Sequence, residues 1–139
     1  MREVGDENSK KREMEPGKIR MTQAKHHYLE IWKYAIDISL SSIVLAYQLE
    51  DSHLDQVAGQ LKEAALSIYV NISEGTEAVS EQEHLLFLNS ARRSLLKLTR
   101  ILIHLNKKDI ITCDIKKEML YQLEQLNQKI SSNSALSVH

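Results

Sequence analysis

From residue 85 to residue 105 the apolar positions Leu85, Leu88, Ala91, Leu95, Leu98, Leu102 and Leu105 recur at intervals of three or four. A strand presents its apolar residues at every second position, so this spacing specifies a helix with one face turned to a partner. Breakers are scarce throughout, with 4 Gly and 1 Pro in 139 residues, which leaves too few turn signals for a many-stranded sheet. Hydrophobic residues make up 42% of the chain, enough for one domain with a core of its own. The expected fold class is all-α.

Three further helices follow from the same reasoning. The first is expected from about His26 to Leu49 and carries two apolar stripes. Leu29, Trp32, Ile36, Leu40, Ile43 and Tyr47 form one; Ile31, Ala35, Ile38, Leu45 and Leu49 form the other, about 200° away around the axis. One stripe can face the bundle core, and the other needs a different cover. The second helix is expected from about Leu54 to Glu74, on Leu54, Val57 or Ala58, Leu61, Ala64 or Ala65, Ile68 and Ile72. Gly75 follows as a C-terminal stop that can adopt positive φ. The third helix opens on Ser80 and Glu83, a capping box, and ends near Lys107 and Lys108, where cations suit the dipole. The fourth begins after Thr112 and uses Ile115, Met119, Leu123, Leu126 and Ile130. Short links make an antiparallel up-down-up-down four-helix bundle over residues 25–131 the economical arrangement. Residues 1–24 are mixed in charge and contain Pro16-Gly17, so a flexible arm is expected; residues 132–139 are expected to fray.

The surplus of apolar surface implies self-association. Ile31, Ile38 and Leu45 on helix one, with Leu86, Leu96 and Ile103 lying off the seam of helix three, are the residues expected at that interface.

Several function classes are disfavoured. The lone Cys113, read as a small half-buried side chain at a helix start, allows neither an intramolecular disulfide nor a cysteine-rich zinc site. No glycine-rich phosphate loop and no nucleophile–base–orienter set is evident, so neither catalysis nor a cofactor is expected. The Glu-x-x-His spacings Glu50/His53 and Glu81/His84 resemble di-iron motifs, but they fall in links or at helix starts rather than at mid-bundle. No metal site is expected. With no apolar run suited to a signal peptide or to the roughly 18 residues of a membrane span, a cytoplasmic location without membrane contact is the expectation.

Net charge is −1, and beyond residue 25 acids outnumber bases 14 to 11, so any nucleic-acid binding must come from a local patch. Arg93, Lys97 and Arg100, spaced i, i+4, i+7 with Arg92 beside them, form such a stripe on helix three. It can hold a phosphate backbone, or it can be a solvated face or one paired with acids of a neighbouring subunit.

The segments LEIWKYAIDIS, QLKEAALSIYVNISEG and SEQEHLLFLNSARRSLLKLTRIL, within residues 28–130, resemble the four-helix bundle proteins encoded in 23S ribosomal RNA intervening sequences. The accessory variability determinants of diversity-generating retroelements share that fold. The residues carrying the resemblance are Trp32, Ala64, Ala65, Ser67, Ile68, Asn71, Ile72, Glu74 and Gly75. The chain departs from the pattern at Glu63, where the family is usually basic, at Tyr69 in place of proline and at Ser73 in place of alanine. The resemblance implies a ring-like homo-oligomer, commonly of five subunits, without enzymatic activity. It further implies RNA, DNA or a reverse transcriptase as partner, while a self-associating structural protein without nucleic-acid affinity remains the alternative.

Overall fold

A computed structural model describes the backbone of residues 16–138 and the side chains of residues 28–132. Four helices follow one another: α1 (Pro16–Asp51), α2 (Asp55–Thr76), α3 (Glu81–Lys107) and α4 (Cys113–Val138). α1 begins ten residues before the position expected from periodicity, at a proline whose fixed φ suits a first helical turn. α4 continues to Val138, past the expected limit at residue 131. Residues 1–15 of the expected arm lie outside the described residues.

Each helix packs on two others. α2 packs along α1 and α3, and α4 packs along α1 and α3; across the α1–α3 diagonal the backbones stay apart, and the Tyr28 and His84 rings reach each other. Along the first pair Trp32 meets Ser73, Ser39 meets Ala65 and Glu50 meets Lys62; along the second, Ser67 meets Ser94 and Gly75 meets His84. The α1–α2 and α2–α3 contacts are the more extensive ones. Alanines explain this: Ala35 and Ala46 on α1, Ala58, Ala64 and Ala65 on α2 and Ala91 on α3 are all buried and let the backbones approach. α4 instead inserts Met119, Leu123, Leu126 and Ile130, while Ile115, expected on the same face, is exposed in its first turn.

The seam of α3 is buried as its spacing requires from Leu88 to Leu105, and the expected face of α2 from Ala58 to Ile72; the first members of each, Leu85 and Leu54, are half-buried. On α1 the choice between stripes is now made. Ile31 and Ile38 are fully buried and Leu45 nearly so, within a single subunit. Their expected place between subunits is therefore corrected: they form the bundle's own core. The reason is size, since their stripe also carries Ala35, Ser42 and Ala46, which allow α2 to come close, whereas the opposite stripe has only large residues.

The links are closed by local geometry. His53 (φ 63°) and Asp109 (φ 59°) take left-handed conformations after α1 and α3. In each case two bonds cap the helix end: Leu54 N–H donates to Leu49 O at 2.8 Å and His53 N–H to Glu50 O at 3.0 Å. The second link repeats the pair, with Ile110 N–H to Leu105 O at 2.9 Å and Asp109 N–H to Asn106 O at 3.0 Å. These are Schellman motifs built without glycine, and His and Asp are among the side chains that tolerate the left-handed region best. Ser80 caps α3 by accepting the Glu83 N–H at 3.1 Å, and Thr112 caps α4 by accepting the Ile115 N–H at 3.2 Å. Cys113, expected half-buried, is exposed at the start of α4. No helix among the described residues is long and apolar enough to cross a membrane.

Candidate interaction surfaces

Three features distinguish the surface and the ground beneath it. The first is the outward face of α1. Leu29, Leu40, Ile43 and Tyr47 are exposed on it, Leu40 to 58% and Tyr47 to 61%, with half-buried Ile36 between them. Including Lys33, the residues 29, 33, 36, 40, 43 and 47 alternate steps of four and three, the repeat of a helix–helix seam with one polar member. On α2, Leu66 and Val70 are exposed as well. At the far end of the α1 seam Lys62 lies 5.3 Å over the Tyr47 ring and 3.0 Å from Glu50. On α3, Leu86, Leu96 and Ile103 are exposed, the position that an interface role requires.

The second feature is the outward face of α3. Arg93, Lys97 and Arg100 are exposed, and none is ion-paired among the described residues. The Arg93 guanidinium donates to Ser90 Oγ at 3.0 Å, which leaves most of its donors free. Arg92 turns toward α4 and lines a groove of 370 Å³ with Leu95, Leu96, Thr99 and Glu124, so it does not extend the same row. Sequence reasoning stopped the row too early. His104 and Lys107 continue the four–three spacing, and both are exposed, so that Arg93, Lys97, Arg100 and Lys107 set four cations along a ridge about 21 Å long. The repeat itself was the available signal.

The third feature lies between α1, α2 and α3, where the residues of the family pattern gather. Ala64 and Ala65 are buried. Ser67 Oγ is 2.7 Å from Ser94 Oγ, and Asn71 Nδ2 donates to Ser67 O at 2.8 Å and to Ser67 Oγ at 3.2 Å. Ile68 and Ile72 are fully buried, and Glu74 is exposed. Trp32 donates its Nε1–H to Ser73 Oγ at 3.3 Å and packs on Tyr69 at 6.0 Å between ring centroids. Two departures from the family pattern, Tyr69 and Ser73, thus both serve to hold Trp32.

Gly75 does not act as expected. It lies inside α2 with no positive φ, and it is buried. A Cβ there would collide with Tyr28 Oη and would sit 3.4 Å from Phe87 Cβ. The glycine therefore makes room for Tyr28, whose ring meets His84 edge-on at 4.9 Å while His84 Nδ1–H donates to the Gly75 carbonyl at 3.2 Å. Burial pushes the Tyr28 hydroxyl well above its usual value near 10. Its contribution to stability is fully present below that unfolded value and is lost as pH rises through the folded one. Among the described residues the Tyr28 hydroxyl also has no hydrogen-bond partner. Gly75→Ala should cost about 1–3 kcal/mol, Tyr28→Phe should be near neutral, and the double variant should recover most of the loss. Urea denaturation of the three variants tests this; equal loss in the single and double variants would refute the steric account.

The Glu-x-x-His pairs are occupied otherwise. Glu50 pairs with Lys62, His53 closes a link, and His84 packs on Tyr28. Among the described residues no group of three or more His, Cys, Asp or Glu side chains is placed to hold a metal ion.

A family model described as 23S rRNA-intervening sequence protein matches residues 27–132. Among solved structures, the chain is similar to a protein with unknown function from the S23 ribosomal protein family of Bacteroides thetaiotaomicron. The identity is 17%, the TM-score is 0.73, and the alignment covers 76% of this chain and 96% of that one. That likeness bears on the fold alone. No curated protein matches at a significant level.

Proposed function

Since the chain belongs to the 23S rRNA-intervening sequence protein family, we propose that it is a non-enzymatic, cytoplasmic scaffold that assembles into a ring-like homo-oligomer and binds a macromolecular partner. In this reading the four helices run antiparallel, up-down-up-down. The opposed order of the pairs Trp32–Ser73, Ser39–Ala65 and Glu50–Lys62 supports that. Kinship with accessory variability determinants, a five-subunit ring and a reverse transcriptase as partner belong to the same reading and come from the resemblance alone.

One observation carries the proposal: among the described residues the outward face of α1 is an exposed apolar seam, and Leu66 and Val70 on α2 are exposed too. Contiguous exposed apolar surface of this kind marks an interaction site in a soluble protein. The second exposed set, Leu86, Leu96 and Ile103, lies on α3. A contact between two different faces is heterologous, and heterologous contacts form a ring when the rotation from copy to copy closes. Light scattering at micromolar concentration should give several times the 16.0 kDa subunit mass. Leu40→Glu with Ile43→Glu should return the mass to that of one subunit with unchanged helicity. A monomeric wild type would end the proposal.

A second reading concerns the partner. The unpaired cations of α3 favour the phosphate backbone of RNA or DNA, repeated in every subunit of a ring. A self-associating protein without nucleic-acid affinity is the alternative that the ridge variants described in the Discussion separate from it.

A further inference from the structure

α2 ends against the usual electrostatic rule. The C-terminus of a helix carries roughly half a negative charge, which cations in the last turn normally offset. α2 has no basic residue in its last turn. It has Glu74 there and Glu77 at the C-cap instead, both exposed and neither ion-paired among the described residues. Two carboxylates thus reinforce the negative end of the helix, an arrangement that disfavours the bare protein.

Beside this end, between α1 and α2, lies a cleft of 250 Å³ lined by Tyr28, Leu29, Trp32, Ser73, Thr76 and Glu77. It joins two aromatic rings, one aliphatic side chain and one carboxylate. The indole is fixed in advance by its bond to Ser73 and by its packing on Tyr69. Thr76 spends its hydroxyl proton on Ile72 O at 2.9 Å, which leaves its oxygen an acceptor. Apart from Leu29, the lining suits a positive charge: two aromatic side chains, an anionic rim and the negative end of a helix. A preorganised wall also lowers the ordering cost of binding.

We propose that this cleft is a binding site for an organic cation, a guanidinium or an ammonium group, with Trp32 and Tyr28 as its aromatic walls and Glu77 as its counter-ion. The site is separate from the cationic ridge on α3, and it shares Leu29 with the apolar seam of α1. Leu29 receives the alkyl chain that carries the cation. Such a group can come from a lysine or arginine side chain of a partner polypeptide or from a free amine.

Trp32 is the sole tryptophan, so its fluorescence reports the cleft directly. The full chain is titrated at constant ionic strength with N-acetyl-arginine amide, N-acetyl-lysine amide, choline and spermidine, up to roughly 100 mM because a single cation contact is weak. The neutral control is N-acetyl-citrulline amide. A saturable change with the cations and none with citrulline is expected. Stronger binding of the amino-acid amides assigns the site to a side chain, and stronger binding of choline or spermidine assigns it to a free amine. Glu77→Gln should weaken binding about tenfold and Glu74→Gln less, while Glu63→Gln, on the same helix but away from the cleft, should leave it unchanged. Without ligand, Glu74→Gln and Glu77→Gln should each raise the melting temperature by about 1–3 °C, since each removes an anion from a helix C-terminus. No saturable response to any cation, equal binding of citrulline, or undiminished binding in Glu77→Gln would overturn the proposal.

Discussion

Truncating Ile38 to alanine should destabilise the bundle by about 3 kcal/mol, whereas the same truncation at Leu40 should cost under about 1 kcal/mol in the isolated subunit. The two residues are neighbours on α1 with similar side chains, so composition cannot separate them. Ile38 is fully buried in the core cluster, and its loss leaves a cavity that the surrounding leucines and isoleucines cannot fill without moving. Leu40 is mostly exposed and has little to lose within one subunit. Self-association adds a second signature. If Leu40 lies between copies, its truncation should lower the melting temperature more as protein concentration rises, because assembly stabilises by mass action. The Ile38 effect should not depend on concentration in that way. Denaturation at two or three protein concentrations measures both. Equal costs at the two positions would mean that the stripes of α1 have been assigned the wrong way round.

The joint replacement Arg93→Gln, Lys97→Gln and Arg100→Gln should remove nucleic-acid binding while leaving mass and helicity unchanged. The three side chains share the outward face of α3, away from Leu95, Leu98 and Leu102, so no core contact is lost. If each neutralises one phosphate, wild-type affinity should fall roughly 20–40-fold per subunit between about 50 and 200 mM salt, and more where several subunits bind together. The variant should lose about two to three units of the salt slope, with little dependence on base sequence. Lys107→Gln should take off a further fraction, because that residue continues the same ridge. Filter binding or fluorescence anisotropy across a salt series gives the slopes. Dissociation of the triple variant into monomers would make the stripe an interface element. Absence of salt-sensitive binding by the wild type would leave the protein a structural assembly.

Much of this architecture was legible before any coordinates. On α3 the apolar residues fall mainly on one side, so periodicity alone identified Leu88 to Leu105 as core. Ser80 announced α3 through a hydroxyl that can reach an amide three residues on, and it does so; Thr112, expected only to precede α4, caps that helix in the same way. The cations at 93, 97 and 100 could be placed on the outward face by angle alone, and they are exposed there.

Other features were beyond local reasoning. α1 has two apolar stripes of comparable strength, and the choice between them depended on which allowed α2 to approach; the small side chains Ala35, Ser42 and Ala46 settled it. The left-handed turns at His53 and Asp109 carry no glycine to mark them. Gly75 read as a helix stop because glycine's local freedom is what a sequence displays. Its actual constraint comes from Tyr28, 47 positions away in the chain. The cleft beside Glu77 likewise draws on α1 and on the end of α2, and no single segment contains it. The sequence by itself determined the four helices, the N-cap of α3 and most of the buried faces of α2, α3 and α4, because periodicity and capping are properties of neighbours along the chain. Tertiary structure alone decided which face of α1 is core, why residue 75 must be glycine and where aromatic rings meet a helix end. Those outcomes depend on distances between segments remote in sequence, and such distances are set only when the helices pack.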